Sequence, residues 1–386
     1  MRFHSSKLFL LAALAACSER TISGPVTPAL SLDRVGQPGD DRDVIGGVFT
    51  ETDDATNNAV VAFARHADGT LTYVANYPTN GKGLGGANVV DPLQSQFAVV
   101  LTPDHRYLFA VNAASNSIAA FAVTSNALRS LGTFSSNGSG PVSLAATNHV
   151  LYALNKYSNT VTGFRIDDGR IVAEPSLTRS LSTGASGGAA IRFDRDAHLL
   201  AVTERTSNTI DVFTVDNGRL SPHPVSSASA GVTPFGFDWT PRRQLIASEA
   251  GSGSVSSYDA LRNGTLRTVS GQVSTKGAAP CWLITTHDGR FAYAANAGSG
   301  NVTGFSVAAN GTLAILDPSG VTGSLGAGST PLDLDVSQDS KFLYVLKAGA
   351  NTIGVFAVGN DGSLSNLPDG VGGLSLRNGQ MGIAAF

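Results

Sequence analysis

A short run of alternating apolar residues closing on an aromatic recurs seven times along the chain, each copy preceded by a polar residue and a turn of Gly, Ala, Ser or Asn. The copies end at Phe63, Phe121, Phe164, Phe213, Tyr258, Phe305 and Phe356. Period-two alternation bounded by turn residues predicts a β-strand. After the aromatic come Asp68-Gly69, Asp168-Gly169, Asn217-Gly218, Asn263-Gly264, Asn310-Gly311 and Asp361-Gly362, with Asn126-Ala127 the departure in the second copy. Asx-Gly accepts positive φ at both positions of a two-residue turn, so each pair predicts a hairpin. Upstream of each copy lies a second strand pair, as in residues 282–286, the turn His287-Asp288-Gly289 and residues 291–296. Every repeat thus supplies four strands, here lettered A to D.

Successive aromatics lie 43 to 58 residues apart. A repeat of that length made of short strands predicts one blade of a β-propeller, and seven copies predict an all-β, seven-bladed ring. The ends of the repeat region are out of phase. Gly46-Gly47-Val48-Phe49 matches strand B of later copies, whereas Met381 to Phe386 match strand A with no strand B after them. The C-terminal strand is therefore expected to complete the first blade, which leaves the ring no open sheet edge. With 44 glycines and 42% hydrophobic residues the composition fits this class, and residues 46–386 are expected to form one propeller domain.

The N-terminus carries a different signal. Arg2 and Lys7 precede a nine-residue apolar stretch, Leu8 to Ala16, too short to span a bilayer. It runs into Leu14-Ala15-Ala16-Cys17, which resembles the bacterial lipoprotein box, where the cysteine becomes the lipid-bearing first residue. Residues 1–17 are thus expected to be a lipoprotein signal, residues 18–45 a flexible tether, and the protein exported and held at a membrane through Cys17. The 26 residues from Ser18 to Asp43 would span roughly 28 Å as a flexible chain. Cys281 is the second of two cysteines, so acylation of Cys17 leaves it alone, as a buried small residue. Net charge is −3, charged residues make up 14%, and no basic stripe is present, which argues against nucleic acid. A monomer is expected.

Chemistry is expected on the face where D–A and B–C loops surround the mouth of the central channel. Counting back from each aromatic places one polar residue at the end of each strand B: Glu51, Asn112, Asn155, Glu204, Glu249, Asn296 and Lys347. They predict a polar ring at that mouth, in which like-charged carboxylates raise one another's pKa. Strand A enters from the same face, where Trp282 can stack on a ligand and Asp333 can hydrogen-bond one. The same residues can instead cap strands or fill the core. His105, His149, His198 and His287 fall in A–B turns, on the opposite face, and no closely spaced Cys/His set suggests a metal. No cofactor is expected.

The repeat typified by Ser207-Asn208-Thr209-Ile210-Asp211-Val212-Phe213, with A–B turns such as Thr102-Pro103-Asp104-His105-Arg106, resembles the seven-bladed lactonase family of bacterial 6-phosphogluconolactonase and fungal carboxy-muconate lactonizing enzyme. The resemblance implies a site built from a strand-B Glu, an Arg and a His from two strand-A openings, and an Arg from a B–C loop. Glu204 matches the Glu, but the other three positions read Ala189, Val142 and Ala250. Two functions stay open: a cell-envelope propeller that binds a small molecule, saccharide or protein through the funnel face without the full catalytic set, or a lactone hydrolase or cyclase with Glu204 as general base. An exposed rim of Phe97, Phe235 and Trp282 would favour the first, and a loop Arg or His reaching the mouth the second.

Overall fold

Alternation of buried and exposed positions resolves into seven antiparallel sheets arranged as the blades of a propeller. The computed structural model describes residues 43–85, 90–124, 127–184, 186–374 and 379–386. Strand A, next to the channel, is Met381–Ala385 in blade 1 and then Val99–Leu101, Pro141–Ala146, Gly188–Phe193, Pro234–Trp239, Pro280–Thr285 and Pro331–Val336 in blades 2 to 7. Strand B follows as Val44–Glu51, Tyr107–Asn112, Val150–Asn155, Leu199–Glu204, Gln244–Glu249, Phe291–Asn296 and Phe342–Lys347. The outermost strand is split into two short pieces in blades 3, 4 and 6. Among the described residues no helix is long and apolar enough to cross a membrane.

The seven repeat aromatics are all buried, and they hold neighbouring blades together. Phe63 packs with Tyr344 and Val355 of blade 7, Phe121 with Phe49 and Val60 of blade 1, and Phe305 with Ile246 and Val255 of blade 5. Each removes a large apolar surface from water at about 25 cal/mol per Å². Strand C does not end on the aromatic as the pattern suggested: Thr209–Asp216 runs three residues past Phe213 to reach the hairpin. Tyrosines of strand B add a polar tie across the same seams. Tyr152 Oη donates to the Gly218 carbonyl, Tyr293 to Gly362, and Tyr344 to Gly69 across the junction of the last and first blades.

The hairpin turns divide into two kinds. Asp168-Gly169 and Asn217-Gly218 place both residues at positive φ, as expected. At the other four pairs only the glycine is left-handed, because the Asx side chain accepts the N–H two residues on, as Asp68 does from Thr70 and Asn263 from Thr265. Asn126 lies outside the described residues.

Ring closure takes the predicted form. Strand Val44–Glu51 pairs on one side with Ala59–His66 and on the other with Met381–Ala385, so the first and last described strands share one sheet. Arg65 Nε donates to the carbonyl oxygen of Phe386, whose ring stacks on Phe49 and on His105. Deleting residues 381–386 should therefore expose strand B of blade 1 and part the ring where the last blade meets the first. We expect aggregation or a fall in melting temperature of more than about 10 °C. Size-exclusion chromatography and calorimetry check this; a deletion variant that is monomeric with unchanged melting overturns it.

Candidate functional site

All seven ring residues occupy the last position of strand B, but they do not form a ring of groups facing the channel. Glu51, Asn112, Asn155, Glu204, Glu249 and Asn296 are fully buried. Each is buried against a loop of its own or the preceding blade and holds that loop in place. Glu249 accepts from Ser229 Oγ, Gly231 N, Ser254 Oγ and Tyr258 Oη. Asn112 Oδ1 accepts from Thr79 and Asn58, Asn155 Nδ2 donates to Thr162, and Asn296 Nδ2 donates to Asn301 and Thr303. Glycines in those loops make the approach possible: a Cβ on Gly81, Gly138, Gly231 or Gly277 would lie 2.2–2.4 Å from the side chain of Asn112, Asn155, Glu249 or Asn296. Lys347 pairs with Asp369 of its own blade at 2.6 Å.

Glu204 follows the same pattern. One carboxylate oxygen accepts from Ser207 at 2.8 Å, Thr209 at 2.9 Å and Ser182 at 3.5 Å, while the other is buried without a partner. Burial first, then the charge of Asp211 on the neighbouring strand, pushes its pKa up to about 7. The rise was expected from the other ring carboxylates, yet its electrostatic part comes from within blade 4. Glu51 is likewise held well above the usual carboxylate range by burial and by Asp53.

At blades 3 and 4 the next residue along reaches the mouth. Side chains alternate along an extended chain, so when the last residue of strand B turns sideways its successor turns inward. The successors are Thr52, Ala113, Lys156, Arg205, Ala250, Ala297 and Ala348. The five small ones are buried, and the two cations reach a segment laid over the mouth. Lys156 Nζ donates to the Leu93 carbonyl and to Gln94 Oε1, and Arg205 Nη2 donates to the same Gln94 oxygen at 2.7 Å. Asp91 is buried beside both cations; their charges lower its pKa, but burial wins and raises it well above its usual value. Lys156 is pushed down to about 8, chiefly by burial.

The same segment then enters the channel and fills it. Strand A opens with a register shift in blades 3 to 7, which takes Val142 and Ala189 among others out of the ladder. Ser95 Oγ donates to the freed Val142 carbonyl and Gln96 N to that of Ala189. The Gln96 carboxamide pairs with both main-chain groups of Leu283, and Phe97 N donates to Asp333 Oδ2. Trp282 is fully buried and gives its indole N–H to the Ser95 carbonyl, so it is a core residue holding this plug rather than a stacking surface. Asp333 is buried too, with a pKa raised by burial to about 7, and anchors the plug from blade 7. Phe97 and Phe235 are covered, and the apolar rim they were expected to make with Trp282 is absent. Cys281 is fully buried in strand A of blade 6, as expected of a small core residue, and Cys17 lies outside the described residues.

The model of the family described as Lactonase, 7-bladed beta-propeller, matches residues 55–173, 170–259 and 246–329, well over half of the chain. This chain belongs to the seven-bladed lactonase family. No curated protein matches it. Among solved structures, a Bacteroides fragilis protein assigned as a 6-phosphogluconolactonase superposes with a TM-score of 0.71 at 16% identity, covering 91% of this chain and 100% of its own. A Bacteroides uniformis protein of the same assignment gives 0.67 at 17%, covering 88% and 99%. The periplasmic gluconolactonase of Pseudomonas aeruginosa gives 0.65 at 18%, covering 87% and 98%. At such identities the likeness is one of fold.

Within this lactonase-family propeller, Val142 and Ala189 are buried under Ser95–Phe97, and Ala250 is buried at the mouth. Of the family constellation only Glu204 has a titratable side chain. Lys156 and Arg205 were visible in the sequence as cations one place beyond the ring, and alternation would have assigned them to the mouth. The plug gives no signal in composition or spacing.

Because folded Glu204 keeps its proton to about pH 7 while the unfolded side chain loses it near 4.5, its contribution costs stability increasingly as pH rises from about 4.5 to about 7. Gln can keep the Ser207 and Thr209 contacts without the charge. We expect Glu204→Gln to be the more stable form at about pH 8, by on the order of 2 kcal/mol, with no difference near pH 4. Urea titrations across this range measure it; parallel pH profiles for the two proteins refute the assignment.

Proposed function

We propose that this protein is an exported, lipid-anchored propeller that binds a ligand at its D–A face and does not carry out lactone hydrolysis there. The observation that supports this reading is the course of Ser95–Phe97 across Val142 and Ala189. A lactone-opening site needs a base for water and a donor for the developing oxyanion next to an open substrate position. At this face the two strand-A positions are apolar, their carbonyls are taken by the plug, and the nearest cations, Lys156 and Arg205, are spent on Leu93 and Gln94. Binding would instead use the outer surface, where Tyr157 follows Lys156 in the B–C loop of blade 3 and stands 59% exposed above Gly140. An exposed aromatic ring suits a saccharide face or an apolar side chain of a protein.

A second reading keeps Glu204 as general base, and its elevated pKa favours it. Against it stands the burial of the whole side chain beneath residue 182. We expect the purified protein to open plain and phosphorylated sugar lactones no faster than buffer does, and Glu204→Gln to leave that rate unchanged. Turnover that Glu204→Gln abolishes would establish the hydrolase and discard the binding reading.

The anchor has its own test. A thioether-linked lipid on Cys17 and a disulfide from the same sulfur exclude one another, so the mass of the mature N-terminal peptide decides. We expect the lipid-modified mass, and release of a Cys17→Ser form into the soluble fraction; an unmodified or disulfide-linked Cys17 refutes the anchor.

A further inference from the structure

The opposite end of the channel is not filled. Among the A–B turns lies a cavity of about 500 Å³ whose floor is Phe97, the last residue of the plug, and whose walls include Val100, Leu101 and Ala146. This is within the range of small-molecule sites. Arg192 of blade 4 lies on that floor, its guanidinium carbon 4.4 Å from the centre of the Phe97 ring. Its Nε sits 2.9 Å from Asp238 of blade 5. Ring and carboxylate fix the guanidinium in place. No hydrogen bond to a described residue uses its two terminal nitrogens, and 27% of the side chain is exposed.

Arg195 next to it is spent. It donates through Nε to the Trp239 carbonyl and through Nη2 to Asp238 and Thr285, and its Nη1 meets Nδ1 of His287. Burial holds His287 neutral, with a pKa of about 4, so the ring accepts from Arg195 at Nδ1 and carries its proton on Nε2. Asp335 of blade 7 borders the same cavity. Its oxygens accept the N–H groups of Val336 and Ala385, and no ion pair within 4.0 Å joins it to Arg192. A cation with two open donors and a carboxyl group thus border one space, part apolar and part polar, without contact between them.

We propose that this cavity binds a small monocarboxylic acid, its carboxylate gripped by the two terminal nitrogens of Arg192 and its body lying against Val100, Leu101 and Ala146. A planar fork matched to a carboxylate, held by its own packing, is the arrangement that gives bidentate recognition. Arg192 and Arg195 are opposed by Asp238 and Asp335, while Asp194 and Asp196 share the one cation Arg243 at the rim. These groups sum to one negative charge with Asp335 ionised and to zero with Asp335 protonated, so a carboxylate enters most easily when Asp335 holds its proton. Burial raises the Asp335 pKa to about 6 against the pull of Arg192. The other charged or titratable groups near Asp335 are Arg195, Asp238 and Asp333, with His105 and His287 in the surrounding turns. A bound carboxylate stabilises the protonated acid, so binding takes up a proton and tightens as pH falls through 6. This site is independent of the D–A face and of the function proposed for it.

Titration calorimetry of the full-length protein with benzoate and with butyrate tests the assignment, with inorganic phosphate as the comparison anion. We expect saturable binding of a monocarboxylate that weakens about tenfold or more in Arg192→Lys, which keeps the charge and loses the fork. Affinity should fall severalfold between about pH 5.5 and 7.5 in the wild type and stay level in Asp335→Asn. Absence of saturable binding, equal binding by Arg192→Lys, or preference for phosphate overturns the proposal. Where Arg192→Lys fails to fold, crystals of the wild type soaked in 4-bromobenzoate decide: bromine in the cavity beside Arg192 supports it, and bromine elsewhere or nowhere refutes it.

Discussion

A seven-bladed ring leaves a hole on its axis, and strands that open with a register shift leave main-chain carbonyls pointing into it. Both problems are solved here by Ser95-Gln96-Phe97. Gln96 bonds to blade 4 through its N–H, to blade 6 through its carboxamide and to blade 3 through its carbonyl, which accepts from Ser143, while Phe97 N reaches blade 7. Unpaired buried carbonyls cost about 1–3 kcal/mol each, so a segment that satisfies several of them while excluding water stabilises the axis of the whole ring. The Gln96 carboxamide also needs the glycine at position 236, where a Cβ would stand 2.1 Å from its side-chain oxygen.

The plug also decides which end of the channel can do chemistry. It enters from the D–A face, so that face loses its depth: Leu93, Ser95 and Gln96 are fully buried, and Lys156 and Arg205 are turned into clamps on the incoming segment. It stops at Phe97, so the A–B face keeps a cavity, and the last ring of the plug becomes the platform for Arg192. One segment therefore closes a site at one end and floors a space at the other.

How far the sequence foretold this follows from what each feature depends on. Blade number, strand order and ring closure rest on local periodicity and turn residues, and the phase mismatch between Gly46 and Met381 was enough to place the last strand. The ends of strand B were also legible, to the residue, at all seven positions. Side-chain direction was not, because it depends on a loop from the preceding blade coming to rest on that residue, as residue 231 does on Glu249. The plug was illegible for a related reason. Several of its partners are main-chain carbonyls 47 to 187 residues away along the chain, and carbonyls have no sequence signature. The histidines of the A–B turns were placed correctly, but the Arg192–Asp238 pair that gives that end its polarity joins strands of two blades.

Glu204 shows why a shared position is a poor carrier of a shared activity. In this chain the carboxylate does what Glu249 does one blade on, accepting hydroxyl groups of the loop and strand beside it. Asparagines do the same work at three other blades with no charge at all. A strand-end residue that caps a loop is thus required by the architecture at every blade, whether or not any of them is catalytic. Catalysis needs further groups converging on one such residue from other blades, and these can be lost while the cap remains, because the packing of the ring never depended on them. The Ala and Val at positions 189 and 142 fit that order of dependence: they serve the channel core and the plug, and Glu204 continues to serve blade 4.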